Sequence, residues 1–202
     1  MRDLVDEAVR RLRVAGVGFE PGLSDQEVDR LQDVLGFEFG PEHRAFLQTG
    51  VPTGEPAWPN WRGASLEVLR GRLDWPLESA IFDLRHNDFW PASWGARPDD
   101  EAERIQVARY HLALAPRLVP LFSHRYLTAD PIYQPSPVFS VYQTDVIYYG
   151  ATILNWVEKE FEGKKTVEPW PPVIRVPFWS DLAVGAESED LEGQLTDQPR
   201  RH

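Results

Sequence analysis

The chain has 202 residues, of which 42% are hydrophobic and 26% charged, proportions that fit one globular domain and exclude a wholly disordered, collagen-like or coiled-coil chain. Cysteine is absent, which removes disulfides, thiol nucleophiles, Cys-ligated zinc and iron–sulfur clusters together, and no apolar run reads as a secretory signal or a membrane span, so a cytoplasmic, membrane-free protein is expected. With 21 basic against 32 acidic residues the net charge is −11, a field that repels phosphate and so argues against nucleic acid as partner while favouring encounter with a basic one.

Residues 2–14 place Leu4, Val5, Ala8, Val9 and Leu12 at helical spacing and predict an amphipathic opening helix, stopped by Gly16 and Gly18. Ser24 and Glu27 form a capping box ahead of Val28, Leu31 and Leu35, and Gly36 closes that second helix. Pro41 suits the first turn of a third helix, whose apolar side is Phe46 and Leu47 and which ends near Gly50.

From Val51 to Arg62 the breakers Pro52, Gly54, Pro56, Pro59 and Gly63 predict an irregular loop anchored by Trp58 and Trp61. Ser65 caps a helix with Leu66, Leu69 and Leu73, and Asp74 before Pro76 starts a separate one with Leu77, Ile81 and Leu84. A second Trp/Pro-rich loop carries Trp90 and Trp94, and Asp99, Asp100 and Glu101 then favour the N-terminus of a helix bearing Ile105, Ala108 and Leu112. The periodicity next becomes extended over 118–122, 138–142 and 145–149, with Gln143-Thr144 as a hairpin turn, and returns to helix for Ile153, Leu154, Val157 and Phe161. Trp170, Phe178 and Trp179 are expected to pack a proline-rich stretch back on the body. The expected division is one domain over 1–182 and an acidic, disordered tail over 183–202.

Motifs for catalysis are absent: there is no dinucleotide fingerprint, no Gly-x-Ser-x-Gly elbow and no metalloprotease or EF-hand pattern, so no cofactor and no metal are expected. His43 and His111 read as solvated positions on polar helices. His86, near Asp83 and Asp88, and His124, in His124-Arg125-Tyr126, leave one alternative open, a hydrolase built around the two imidazoles. His86 equally reads as a helix C-terminal residue meeting the last carbonyls. The stronger lead is recognition, because Trp concentrates at the energetic centres of interfaces, although the same residues serve as lids over a core.

The run Gly22-Leu23-Ser24 into Glu27, then Leu31, Leu35-Gly36, Pro41, Phe46-Leu47 and Gly50, resembles the N-terminal signature of the SUKH superfamily. His86-Asn87-Asp88-Phe89-Trp90, Ser140-Val141-Tyr142-Gln143-Thr144-Asp145 and Tyr148-Tyr149-Gly150 are similar to a bacterial subset of it. The resemblance covers most of 16–162 and implies a SUKH-like α+β domain with helices packed on a mostly antiparallel sheet. It also implies no enzymatic activity and a role as an immunity protein that binds and neutralises a toxin, often a nuclease; a regulator of the fungal cell-wall-assembly kind is the alternative. The expected partner-binding surface is Trp58, Trp61, Trp90 and Trp94 with Asp99, Asp100 and Glu101, the acids speeding encounter with a basic toxin and the aromatics slowing release.

Overall fold

Each of the opening helices stops where its sequence stops supporting it. In the computed structural model, which describes residues 1–54, 56–163 and 172–185, α1 (Arg2–Val14) buries Val5, Ala8, Val9 and Leu12, one face at i, i+3, i+4 and i+7. In α2 (Asp25–Leu35) the Ser24 hydroxyl accepts from the Glu27 N–H while the Glu27 carboxylate accepts from the Ser24 N–H at 2.8 Å, and Gly36 closes the helix at φ 69°. The Arg62 guanidinium and the Ser24 donors together hold the Glu27 carboxyl down at about 2. Pro41 opens α3 (Pro41–Thr49), where its missing N–H costs nothing.

Two dipeptides then pair where a loop was expected: β1 (Phe19–Glu20) and β2 (Val51–Pro52) form a short antiparallel ladder that ties the exit of α1 to the exit of α3. The predicted break before Pro76 is absent. A single α4 (Leu66–His86) runs through Pro76, with Leu69 and Leu73 buried before the proline and Ala80, Ile81 and Leu84 after it. Asp100 caps α5 (Glu101–Leu114) by accepting from the Glu103 N–H at 2.9 Å.

The main sheet is an antiparallel meander of β3 (Leu118–Phe122), β4 (Arg125–Thr128), β5 (Val138–Tyr142) and β6 (Asp145–Gly150) in that spatial order, followed by α6 (Ile153–Phe161). Strand β4 escapes the sequence pattern because two of its buried residues are polar: Arg125, 6% exposed, donates to Glu160 and Ser140, and Thr128 is buried beside Ser136. One sheet face, with Val119, Leu121, Leu127 and Val138, joins α1, α2, α3 and α6 in the largest core. On the other, Leu118, Tyr126, Phe139, Val141 and Val146 are covered by Val176, Trp179 and Ala183, and a third cluster sits between α4 and α5. The chain is thus an α+β single domain.

Phe178 and Trp179 do pack back on the body, and the Trp179 Nε1–H donates to the Pro116 carbonyl at 2.7 Å. Ala183 is fully buried within a helical stretch over 179–185, so the domain extends past the boundary expected at 182. Trp170 and the rest of the expected tail, 186–202, lie outside the described residues.

Candidate partner-binding surface

The seven residues expected to face a partner divide sharply. Trp58 and Trp61, 5% and 3% exposed, are core residues. The Trp58 ring meets Phe122 edge-on at 4.7 Å and Trp156 at 5.8 Å, and Trp61 meets Phe39 at 5.0 Å. Their loop spans the gap between α3, β3 and α6, and only large aromatic side chains reach from an irregular backbone to fill it. Trp94, 8% exposed, lies between the His111 ring at 5.4 Å and the Phe178 ring at 6.0 Å, nearly parallel to both. The correction is therefore the same for Trp58, Trp61 and Trp94: they are packed into the body of the domain rather than standing out from its surface.

Trp90 and the three acids remain at the surface. Trp90 is half-buried, its indole N–H donating to the Gly95 carbonyl at 2.9 Å and its ring resting edge-on against Trp94 at 5.4 Å. A ring so fixed loses little entropy on meeting a partner. Asp99, Asp100 and Glu101 are exposed at the N-terminus of α5, where the helix macrodipole favours negative charge. Asp100 has a structural duty as the cap, and Glu101 stands 3.5 Å from Arg85, whereas the Asp99 backbone carbonyl, not its carboxylate, receives Arg104. Beside this loop, Pro91, Ser93, Trp94, His111, Leu114 and Phe178 line an open groove of about 500 Å³.

Other exposed aromatics were not singled out by the sequence reading. Trp75 and Phe82 on α4 are 46% and 45% exposed, and Tyr110 on α5 is 65% exposed. The signal for the first two is present: Val68, Trp75 and Phe82 recur at intervals of seven, on an exposed flank of α4.

The structure does not draw the histidines into a shared site. The His86 ring stacks on Phe82 at 4.2 Å and its Nδ1 lies 2.8 Å from the Phe82 carbonyl, the helix-end arrangement. His124 sits in the β3–β4 turn with its Nδ1 3.1 Å from the Ser123 hydroxyl, and burial, then Arg125, lowers its pKa. Asp83 is occupied by the Thr144 N–H at 2.8 Å, the Thr144 hydroxyl at 2.6 Å and Asn87 at 2.6 Å. Among the described residues no group of three or more His, Asp or Glu is arranged to hold a metal ion, and no helix is long and apolar enough to cross a membrane.

His43 and His111 are not solvated as their polar neighbours implied. His43 is 2% exposed and packs edge-on against Phe39 at 5.2 Å and Trp61 at 6.3 Å, so it serves as an aromatic core residue; complete burial holds its pKa down at about 3. His111 is half-buried against Trp94.

Comparison of the chain with protein-family models, with curated proteins and with solved structures found no match.

Proposed function

We propose that the chain is a non-enzymatic, cytoplasmic protein-binding domain of the immunity type, which binds and neutralises a basic toxin of the nuclease class. The observation that carries this reading is Trp90, fixed at the surface by its hydrogen bond to the Gly95 carbonyl in the loop that runs into the exposed acids Asp99, Asp100 and Glu101, on a chain of net charge −11. The motif resemblance running through Gly22–Gly50 and Ser140–Gly150 supports the same reading. Acids at the open end of α5 steer a cationic surface into contact, and a pre-ordered indole supplies the short-range anchor that slows dissociation. A nuclease depends on cationic groups to hold its substrate, so an acidic ligand over that surface blocks phosphate from reaching it.

The test is capture from the host lysate with tagged protein at low and moderate salt, followed by growth rescue with the captured partner. Asp99→Asn, Asp100→Ser and Glu101→Gln together remove the charge while keeping a capping hydroxyl at 100. The expected partner is basic and carries a toxin domain; the triple variant associates roughly tenfold more slowly at low salt, and Trp90→Ala dissociates faster. Capture of an acidic or unrelated regulatory complex, or binding untouched by both variants, overturns the reading.

A further inference from the structure

A cleft opens between α2 and the first turn of α4, at the far end of α4 from Arg85 and its Glu101 contact. One wall is a single face of α2, with Glu27, Arg30, Leu31 and Val34 at i, i+3, i+4 and i+7, a stretch of about 10 Å; the other wall is Ser65, Leu66 and Leu69. Leu23, Trp61 and Leu69, 3%, 3% and 1% exposed, make the floor, while Val34 and Leu66 stay 41% and 43% exposed at the lips. The space is about 520 Å³, the size of a small-ligand site. Protein interiors close-pack, so apolar walls stay apart only where something holds them, and this cleft is pinned at both ends. At one end Arg62 donates to the Glu27 carboxylate at 2.7 Å and to the Pro21 and Gly22 carbonyls at 2.7 and 3.0 Å. At the other, Arg70 of α4 donates to the Val34 carbonyl of α2 at 3.1 Å. The cleft is therefore formed before any ligand arrives.

The polar groups of the lining are not equivalent. Glu27 and Arg62 satisfy each other, and the Ser65 hydroxyl accepts from the Val68 N–H at 3.3 Å. Arg30 has neither a hydrogen bond nor an ion pair among the described residues, so one guanidinium is left over at the mouth of an apolar cleft. We propose that the cleft binds a small amphiphilic carboxylate, its aliphatic body lying over Leu31, Leu66 and Leu69 and its head group on Arg30. Leucine and valine walls select an aliphatic body, and the volume selects a small molecule. The free guanidinium selects an anion over an alcohol or an amine, and its fork of N–H donors matches the two oxygens of a carboxylate. Asp33 and Glu67 lie outside the lining, and the net charge of −11 is screened beyond about 8 Å at physiological ionic strength, whereas Arg30 acts at contact.

Titration of the isotope-labelled full chain with sodium octanoate, followed by proton–nitrogen correlation spectra, tests this. Octanoate should bind with a Kd of roughly 0.1 mM and move the backbone amides of Leu31, Val34, Leu66 and Leu69 most. Octanol, the same chain without the charge, should bind about tenfold more weakly. Arg30→Gln should bring octanoate to the octanol value and leave octanol binding unchanged. Leu66→Glu, an acid at an exposed position in a first helical turn, should weaken both ligands about tenfold or more with unchanged far-ultraviolet circular dichroism. The absence of a saturable shift at these amides, octanol bound as tightly as octanoate, or octanoate binding indifferent to Arg30→Gln or to Leu66→Glu would each overturn the assignment. None of these results depends on a toxin being found.

Discussion

The hydroxyl of Tyr126 on β4 donates a 3.2 Å hydrogen bond to the carbonyl of Arg72 on α4, the acceptor that Pro76 leaves without its helical N–H. Proline at position 76 has no N–H for the carbonyl four residues earlier, and a buried orphan carbonyl is costly. The sheet repairs the helix: Tyr126 is 2% exposed, and burial pushes its phenol well above the ordinary pKa, keeping it a donor. Tyr126→Phe should therefore cost about 1–2 kcal/mol in urea denaturation at unchanged m-value. In a Pro76→Ala background, where Ala brings its own N–H, the same change should cost clearly less; equal costs in both backgrounds would show that the hydroxyl does not serve the proline.

The β5–β6 turn is held from outside in a similar way. Gln143 occupies φ 57°, a conformation that a residue with a side chain adopts at a cost, and the adjoining Thr144 gives both its N–H and its hydroxyl to Asp83 on α4. Asp83→Ala removes the acceptor of three hydrogen bonds and should cost roughly 2–4 kcal/mol. Gln143→Gly should stabilise by about 1 kcal/mol, because the strain is relieved while the Asp83 anchor is kept. A loss of stability on Gln143→Gly, read from the urea midpoint, would contradict that account.

These two contacts show why the sequence was legible in some places and opaque in others. The capping box at Ser24 and Glu27, Pro41 at a first turn and Asp100 at a cap are local signals, and α2, α3 and α5 begin where those residues put them. The fate of Pro76 is decided by Tyr126, fifty residues away along the chain, so a local reading breaks the helix there. Strand β4 is hidden because Arg125 and Thr128 are polar and buried, with partners on other elements. Among the candidate site residues, exposure was the undetermined quantity: Trp58, Trp61 and Trp94 have the composition of an interface but are buried, and of the four tryptophans Trp90 alone is only half-buried. The seven-residue spacing of Val68, Trp75 and Phe82 was legible, but splitting α4 at Pro76 divided it between two helices.

Glycines at 22 and 71 should respond oppositely to alanine. A Cβ on Gly22 would lie 1.8 Å from the Gln48 carbonyl oxygen, where the next residue's N–H already bonds the Leu47 carbonyl at 2.9 Å, so backbone has to move. Gly22→Ala should cost roughly 3 kcal/mol or more and separate α2 from the end of α3. Gly71→Ala, in open space inside a helix, should raise the stability of dilute protein by about 0.5–1 kcal/mol. Thermal and urea unfolding of both variants measure the contrast, and a tolerated Gly22→Ala would mean that the two segments separate easily.

Glu42 and His43, neighbours in α3, are 1% and 2% exposed and oppose each other in acid. The Glu42 carboxylate accepts from the Ser136 N–H at 2.9 Å and the Ile153 N–H at 3.2 Å, joining α3 to the start of β5 and to the first turn of α6, yet desolvation still raises its pKa. His43 goes the other way, from 6.5 to about 3. As pH falls below 6.5 the unfolded chain takes a proton on this imidazole that the folded chain refuses, so stability drops at up to about 1.4 kcal/mol per pH unit, roughly 3 kcal/mol by pH 4. Glu42 has the reverse sign: its folded form binds the proton more readily than the unfolded, so its share of stability is full below 4.5 and is lost as pH rises through the raised value. Glu7 and Glu27, held at about 2, contribute stability that is lost only below 4.5. Urea titrations from pH 8 to pH 4 should show the wild type weakening below 6.5. His43→Phe should remove most of that limb, leaving the share of His124, whose pKa burial and Arg125 also lower, and His43→Phe with His124→Gln should remove it and uncover the opposite slope of Glu42; an acid limb that survives both changes would assign the loss to other groups.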